Sequence, residues 1–174
     1  IGCHEEFSLI ENSPVGHKVM FRPAWDNRSS NPVALGEELP VASDTVDVVV
    51  LHHALDFTEQ RHRLLREATR VLRPGGHMLI VGFNPASVWG ITRFLRNRNR
   101  IPWSGKFISR ARLNDWLQLL NLQLESTALG LYFPPSNITK VLTYASRIER
   151  FGAKMQLPFG GVYILQCVKQ IVPI

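Results

Sequence analysis

Apolar runs alternate along the chain with stretches of helical periodicity, in an order that is typical of an α/β protein. The continuous apolar run at residues 46–51 predicts a strand that is buried on both faces. Thr58 is the candidate N-cap of the helix that follows, and Pro74-Gly75-Gly76 is its candidate end. The positions that form one face of this helix are Leu64, Leu65, Ala68, Val71 and Leu72. Residues 78–83 predict the next strand, so we expect the two strands to be adjacent and parallel in a βαβ unit.

The rest of the pattern predicts three further strands and three further helices. The strands are expected at residues 17–21, 122–131 and 161–168. The helices are expected at residues 86–96, from the N-cap Ser109 onward, and around residues 141–148. The inner faces of the first two of these helices are predicted to be Val88, Ile91, Thr92 and Leu95, and Leu113, Trp116, Leu117 and Leu120.

Length and composition favour one globular domain over residues 1–174. A chain of 174 residues with 45% apolar residues can bury a sizeable core. No apolar run in this sequence approaches the roughly 18 residues of a bilayer-spanning helix. Cys3 and Cys167 are too few for a disulfide framework, which favours a reducing cytoplasm. The residues His4, Glu5, Glu6 and Glu11 match no metal-binding spacing, so we expect no metal.

Basic residues concentrate in one stretch, residues 93–112, in a chain of net charge +6. The stretch holds Arg93, Arg96, Arg98, Arg100, Lys106, Arg110 and Arg112. Two interpretations remain open. In one, these side chains and the neighbouring Trp89, Trp103 and Phe107 bind RNA or an acidic membrane surface. In the other, which we favour, the stretch is a solvated face beside core aromatics.

Three segments carry a likeness to a known family. Residues 38–49 match "LPF-x-x-x-x-FD-h-h", residues 65–76 match "E-x-x-R-V-L-K-P-G-G", and residues 109–124 match "S-x-x-x-L-x-x-W-L-x-x-x-G-F". In this order, over residues 37–168, they resemble class I S-adenosylmethionine-dependent methyltransferases of the type 11-like group. The resemblance implies a Rossmann-like α/β sandwich with a mostly parallel sheet and an antiparallel last strand. It also implies a substrate-recognition insertion at residues 86–112.

The resemblance further implies S-adenosylmethionine as cofactor and methyl transfer to an unidentified acceptor. Ligands of open α/β sheets bind at the carboxyl ends of the strands. The cofactor-binding residues implied there are Gly2, Glu37, Leu39, His52 and His53. Alignment of an acceptor with an activated methyl group lowers the barrier by roughly 7–11 kcal/mol, so a base is optional and we assign no catalytic residue. Either histidine is a candidate base or a loop histidine that bonds backbone, and Asp56 is expected at a helix start.

The sequence departs from the family pattern at several cofactor positions. The glycine-rich loop "h-G-x-G-x-G" falls on residues 1–6, where His4 and Glu6 replace two glycines. Arg22 and Leu35 stand where the family has acids. These departures favour an alternative, a catalytically inactive methyltransferase-like binding protein. The likeness also begins after the first family strand, so we expect the natural chain to continue upstream with that strand between residues 17–21 and 46–51. Otherwise, the latter two would pair directly.

Overall fold

A computed structural model of the chain describes residues 38–92, 104–132, 147, 150–152, 154 and 157–171. Within these ranges, four strands form one sheet in the order β1-β2-β4-β3. The strands are β1 (Val46–His52), β2 (Leu72–Phe83), β3 (Leu122–Gly130) and β4 (Val162–Lys169). The helices are α1 (Ala54–Phe57), α2 (Arg61–Val71), α3 (Val88–Thr92) and α4 (Arg110–Leu119). The strand predicted at residues 17–21 lies outside the described positions, as does the helix predicted around residues 141–148 except for Arg147.

The strand directions confirm the α/β fold. β1 and β2 are parallel neighbours, with Val49 opposite Met78 and Leu51 opposite Ile80. β4 is antiparallel to both β2 and β3, as the resemblance implied for the last strand. The bounds predicted for β3 and β4 are correct to within one residue. The carboxyl ends of β1 and β2 therefore lie at the same edge of the sheet, where ligands of open α/β sheets bind.

The prediction that β1 is buried on both faces is wrong. Val48 and Val50 are 38% and 37% exposed, whereas Leu51 on the opposite face is buried in the core. In the described part of the chain β1 pairs only with β2, so it is an edge strand there. Its apolar run reflects the preference of valine for strands as well as burial.

The predicted inner face of α2 is confirmed, because Leu64, Leu65, Ala68, Val71 and Leu72 are all buried. The N-cap assigned to Thr58 is wrong: α2 starts at Arg61 after Gln60. The unpredicted helix α1 occupies the preceding residues, and Thr58 is its C-cap. The Thr58 hydroxyl accepts a hydrogen bond from the Gln60 N–H at 3.2 Å.

The Pro74-Gly75-Gly76 segment lies inside β2, so it does not end the helix, which has already stopped. Its predicted need for glycine is confirmed. Gly75 has φ 76°, which other residues rarely adopt. A Cβ on Gly76 would lie 2.9 Å from the Arg73 carbonyl oxygen and 3.0 Å from that of Asp47. The strand register shifts beside this segment, where β2 bulges against β1.

α4 begins as predicted at the N-cap Ser109, whose hydroxyl accepts from the Arg112 N–H at 3.4 Å. Its inner residues Leu113 and Leu117 are buried, and the Trp116 ring meets that of His62 at an interplanar angle of 54°, with 4.1 Å between ring centroids. α4 packs beside β3 and so covers the sheet face that also receives α2.

The inner face predicted for α3 is wrong at Val88 and Ile91, which are 44% and 62% exposed. Gly90 is the buried residue of α3, because its Cα packs directly on the backbone of Pro85. The remainder of that predicted helix lies outside the described residues. Over the described positions, no helix is both long and apolar enough to cross a membrane.

Candidate functional site

β1 and β2 end side by side because they are parallel, and we call this place the carboxyl end of the pair. β1 finishes at His52, which lies opposite Val81 of β2. His53 and α1 follow β1, whereas Asn84 and a tight loop follow β2. The chain therefore presents two neighbouring loops at the position where ligands of such sheets bind.

His53 is held in an unusual backbone conformation. Its φ of 54° and ψ of 11° are left-handed, which costs a non-glycine residue about 1–2 kcal/mol. Its N–H donates to the Val81 carbonyl at 2.9 Å. Its ring stacks on Phe83 at 4.1 Å between centroids and meets His52 edge-on at 4.8 Å. Backbone and ring are thus both fixed.

A buried carboxylate completes the environment of His53. Asp56 Oδ2 lies 2.9 Å from His53 Nδ1 and accepts the Phe83 N–H at 3.1 Å. An ionised carboxylate only accepts hydrogen bonds, so with Asp56 ionised a neutral His53 ring has its proton on Nδ1 and its lone pair on Nε2. This one oxygen therefore joins the start of α1 to the end of β2 and to the loop between β1 and α1.

The other oxygen of Asp56, Oδ1, is buried without a hydrogen-bond partner among the described residues. Burial raises the pKa of Asp56, and the hydrogen bonds from His53 and Phe83 oppose that shift. An unpaired buried polar atom costs roughly 1–3 kcal/mol, and such atoms concentrate at functional sites. Sequence reasoning offered Asp56 as a nearby charge and favoured a helix start, which is confirmed because it lies in the first turn of α1, but the contact with His53 was not predicted. The signal for its actual role was the three-residue spacing from His53, which one helical turn brings together.

His52 is exposed at the end of β1. Partial burial of its ring and the neighbouring His53 lower the pKa of His52 from its ordinary value of 6.5, so the ring is neutral at pH 7. It is therefore suited to stacking or accepting a hydrogen bond, and unsuited to holding an anion by charge.

Asn84 fixes the loop after β2. Its side-chain amide donates to the Pro158 and Gly160 carbonyls at 3.1 and 2.9 Å, and its Oδ1 accepts the Ala86 N–H at 3.1 Å. One buried side chain thus ties the loop after β2 to residues 158–160, whose acceptors lie 74 and 76 residues away in sequence. Sequence reasoning missed Asn84, although an Asn-Pro pair directly after a strand is a turn signal.

Of the other predicted cofactor residues, only Leu39 lies within the described ranges, and no hydrogen bond joins it to the His52–His53 loop. Leu39 bonds to α2 instead: its N–H donates to Glu67 Oε1 at 2.9 Å and its carbonyl accepts from Arg70 at 3.2 Å. Gly2 and Glu37 lie outside the described residues, as do His4, Glu6, Arg22 and Leu35. Cofactor contacts by these residues stay predictions.

The basic stretch is described only in part, since Arg93, Arg96, Arg98, Arg100 and Trp103 lie outside the described residues. Lys106 forms an exposed ion pair with Glu59 at 2.6 Å. Its backbone N–H donates to the Asp56 carbonyl at 2.7 Å, which ties the segment to α1. Phe107 stacks on Phe83 at 4.8 Å, so this ring is part of the packing under the site. The described side chains offer no group of three metal ligands.

Comparison with known proteins identifies the fold and the motif region. A family model described as a methyltransferase domain matches residues 18–80. The chain is 41% identical over 87 residues to the uncharacterized protein YafS of Escherichia coli K12, a match that covers 49% of this chain and 36% of that protein. It is 33% identical over 78 residues to the ubiquinone/menaquinone biosynthesis C-methyltransferase UbiE of Cereibacter sphaeroides, covering 42% of this chain and 30% of UbiE.

Among solved structures, a SAM-dependent methyltransferase from Thermotoga maritima superposes with a TM-score of 0.60 at 16% identity. The superposition covers 80% of this chain and 63% of that protein. Likeness at this identity shows a shared fold. The sequence matches span about a third of the length of the curated relatives.

Proposed function

We propose that this chain, whose residues 18–80 match a methyltransferase-domain family model, belongs to the class I methyltransferase family and binds S-adenosylmethionine at the carboxyl end of β1 and β2. The observation that carries the proposal is the parallel β1–β2 pair, with the His52–His53 loop at its end. The family model matches the stretch of sequence that contains most of this pair. The methyl acceptor is not identified by any of these observations.

The charge of the described site suits the cofactor. S-adenosylmethionine supplies a methyl group on a positively charged sulfonium, which makes that group reactive without further activation. The buried Asp56 carboxyl has an oxygen without a partner among the described residues, and the neighbouring His52 ring is neutral at pH 7. A cation is favoured beside such a pair, since attraction strengthens where water is excluded.

The residues that we propose to hold the cofactor are Gly2, Glu37, Leu39, His52 and His53. In this proposal, His52 lies against the cofactor with its exposed neutral ring. Rigid walls matter more than reactive groups for this chemistry, because alignment supplies roughly 7–11 kcal/mol of the barrier lowering. Asn84 provides such a wall by clamping the loop after β2.

Isothermal titration of S-adenosylmethionine into the full-length protein tests the proposal. We expect saturable binding of one molecule per chain, with a micromolar or weaker dissociation constant because only Gly2 matches the glycine-rich loop. His52→Ala should weaken binding at least threefold. His77→Ala is the matched control, since His77 pairs with Glu125 at 3.3 Å toward the amino end of β2. Absence of binding to the wild type would refute the proposal, and binding without any methyl transfer would favour the inactive alternative.

We also propose a reducing compartment, the cytoplasm, as the working location. The support is the cysteine usage: Cys167 is a fully buried free thiol in β4. Burial raises the pKa of the Cys167 thiol to about 11, so it stays protonated and inert at neutral pH.

A further inference from the structure

The His53–Asp56 pair is more constrained than a loop histidine requires. The backbone of His53 is strained, its ring is stacked, and its Nδ1 is bonded to a carboxylate that is 2% exposed. We propose that His53, oriented by Asp56, is the base that takes the proton of the methyl acceptor, and that the acceptor is therefore a hydroxyl or a thiol. This inference rests on the proposed function and adds to it a catalytic residue and a substrate class.

The direction of the His53 ring follows from its partner. With Nδ1–H donating to Asp56 Oδ2, the basic nitrogen is Nε2. Among the described residues Nε2 makes no hydrogen bond, so its lone pair is available at the carboxyl end of the β1–β2 pair. A carboxylate that fixes one ring nitrogen while the other takes a proton is the arrangement that serves general bases in unrelated enzymes.

Several charged or titratable groups surround His53. Asp56 touches the ring directly, 2.9 Å from Nδ1. The Arg61 guanidinium acts on Asp56 from α2 but donates its own hydrogen bonds to the Leu55 and Lys106 carbonyls. His52 is neutral at pH 7, and burial together with the Asp56 charge raises the pKa of Tyr163 in β4. Among the described residues, Asp56 is therefore the acid that contacts the His53 ring.

The step balances without an added reagent. The acceptor's O–H or S–H bond breaks and its proton passes to His53 Nε2. The electron pair of the acceptor's oxygen or sulfur forms the new bond to the methyl carbon, and the sulfonium sulfur keeps the pair of the broken C–S bond. His53 then returns the proton to solvent. A hydroxyl or thiol needs this help because it becomes much more nucleophilic as the proton leaves, whereas a neutral amine attacks through its lone pair.

The first test is the ring itself, read by nitrogen NMR on the full-length protein with ¹⁵N-labelled histidine and saturating S-adenosylmethionine. We expect His53 to carry its proton on Nδ1 and none on Nε2 at pH 7.5. Asp56→Asn should weaken this preference, and His77→Gln should leave it unchanged. A proton on Nε2 of the wild-type ring would overturn the inference whatever the activity.

The second test is turnover, with 2-mercaptoethanol and phenol as the probes of S–H and O–H acceptors. We expect the wild type to methylate at least one of them, with a rate that rises with pH along a single-proton limb. His53→Gln should lower kcat by about 100-fold or more and abolish that limb. Turnover is measured at saturating S-adenosylmethionine, so that a weaker cofactor affinity of the variant does not lower kcat.

A second variant at position 53 distinguishes loss of the base from loss of the folded structure. His53→Gly accepts the left-handed backbone at no cost and leaves a ring-sized space. We expect free imidazole to restore at least a tenth of the lost rate in this variant. Unchanged turnover in His53→Gln, or no methylation of either probe by wild type that binds the cofactor, would overturn the inference while leaving the proposed cofactor site standing. Loss of cofactor binding in the wild type would instead refute the proposed function.

Discussion

Replacing Lys169 with methionine tests how the C-terminus of α2 is held against the sheet. The ammonium donates to the Thr69 and Leu72 carbonyls at 2.8 and 2.7 Å and pairs with Asp44 at 2.8 Å. The last carbonyls of a helix have no partner within the helix and need donors from elsewhere. Lys169, the last residue of β4, supplies two of these bonds and its positive charge also suits the negative end of the helix dipole.

The magnitude follows from burial. The Lys169 side chain is 19% exposed, so its hydrogen bonds are largely shielded from water. Methionine keeps the apolar stem and removes the donor, which leaves two carbonyls unpaired at roughly 1–3 kcal/mol each. Allowing for water at the exposed margin, we expect Lys169→Met to lower the free energy of unfolding by about 2–4 kcal/mol. The midpoint of thermal unfolding should fall by roughly 5–15 °C.

Lys106→Met is the matched control. Lys106 has an ion pair of similar length, 2.6 Å to Glu59, but both side chains are more than half exposed. Exposed pairs contribute about 0–1 kcal/mol, so this variant should stay close to wild type. Urea unfolding with an unchanged m-value measures both. A cost for Lys169→Met no larger than that for Lys106→Met would show that the carbonyl contacts do not stabilise the fold.

Four other substitutions probe the packing and the charge of the fold. The hydrogen bond from Arg70 lowers the pKa of Glu67 below 4.5, so its contribution to stability is present above pH 4.5 and is lost as the pH falls through the lowered value. Stability curves of wild type and Glu67→Gln should therefore converge in acid, and a constant gap would contradict this. Gly76→Ala should lower the free energy of unfolding by about 1–3 kcal/mol, because the new methyl group meets the Asp47 carbonyl at 3.0 Å. Gly75→Ala probes the positive φ of the neighbouring residue. Leu65→Ala should cost about 2–5 kcal/mol by urea unfolding, since Leu65 is fully buried, and a cost below 1 kcal/mol would mean that α2 does not pack as described.

Local sequence predicted those parts of the fold that depend on local chemistry. The buried stripe of α2, the Ser109 cap and the glycine at Gly75 follow from helical period, capping and backbone sterics. The strand pair was predictable because a short connection through a helix forces parallel neighbours. The start of α2 was not, because the unpredicted helix α1 displaced it from Thr58 to Arg61.

The candidate site contains contacts that local sequence does not predict. His52 and His53 were predicted from their place after an apolar run. The partner that gives His53 its direction, Asp56, is held by the Phe83 N–H, which lies 27 residues away in sequence. Likewise, the exposure of Val48 and Val50 depends on what covers one face of the sheet, which the run of valines does not encode. The Phe83 contact joins residues far apart in sequence and is not predicted by local spacing, whereas the His53–Asp56 contact is local.

An amide NMR titration of the full-length protein with S-adenosylmethionine tests whether the cofactor binds at the carboxyl end of the β1–β2 pair. We expect the largest shifts to fall on His52, His53 and the residues of α1. Little change is expected at the amino end of β2 around His77. Shifts confined to the amino end of the sheet, or absent at saturating cofactor, would contradict it.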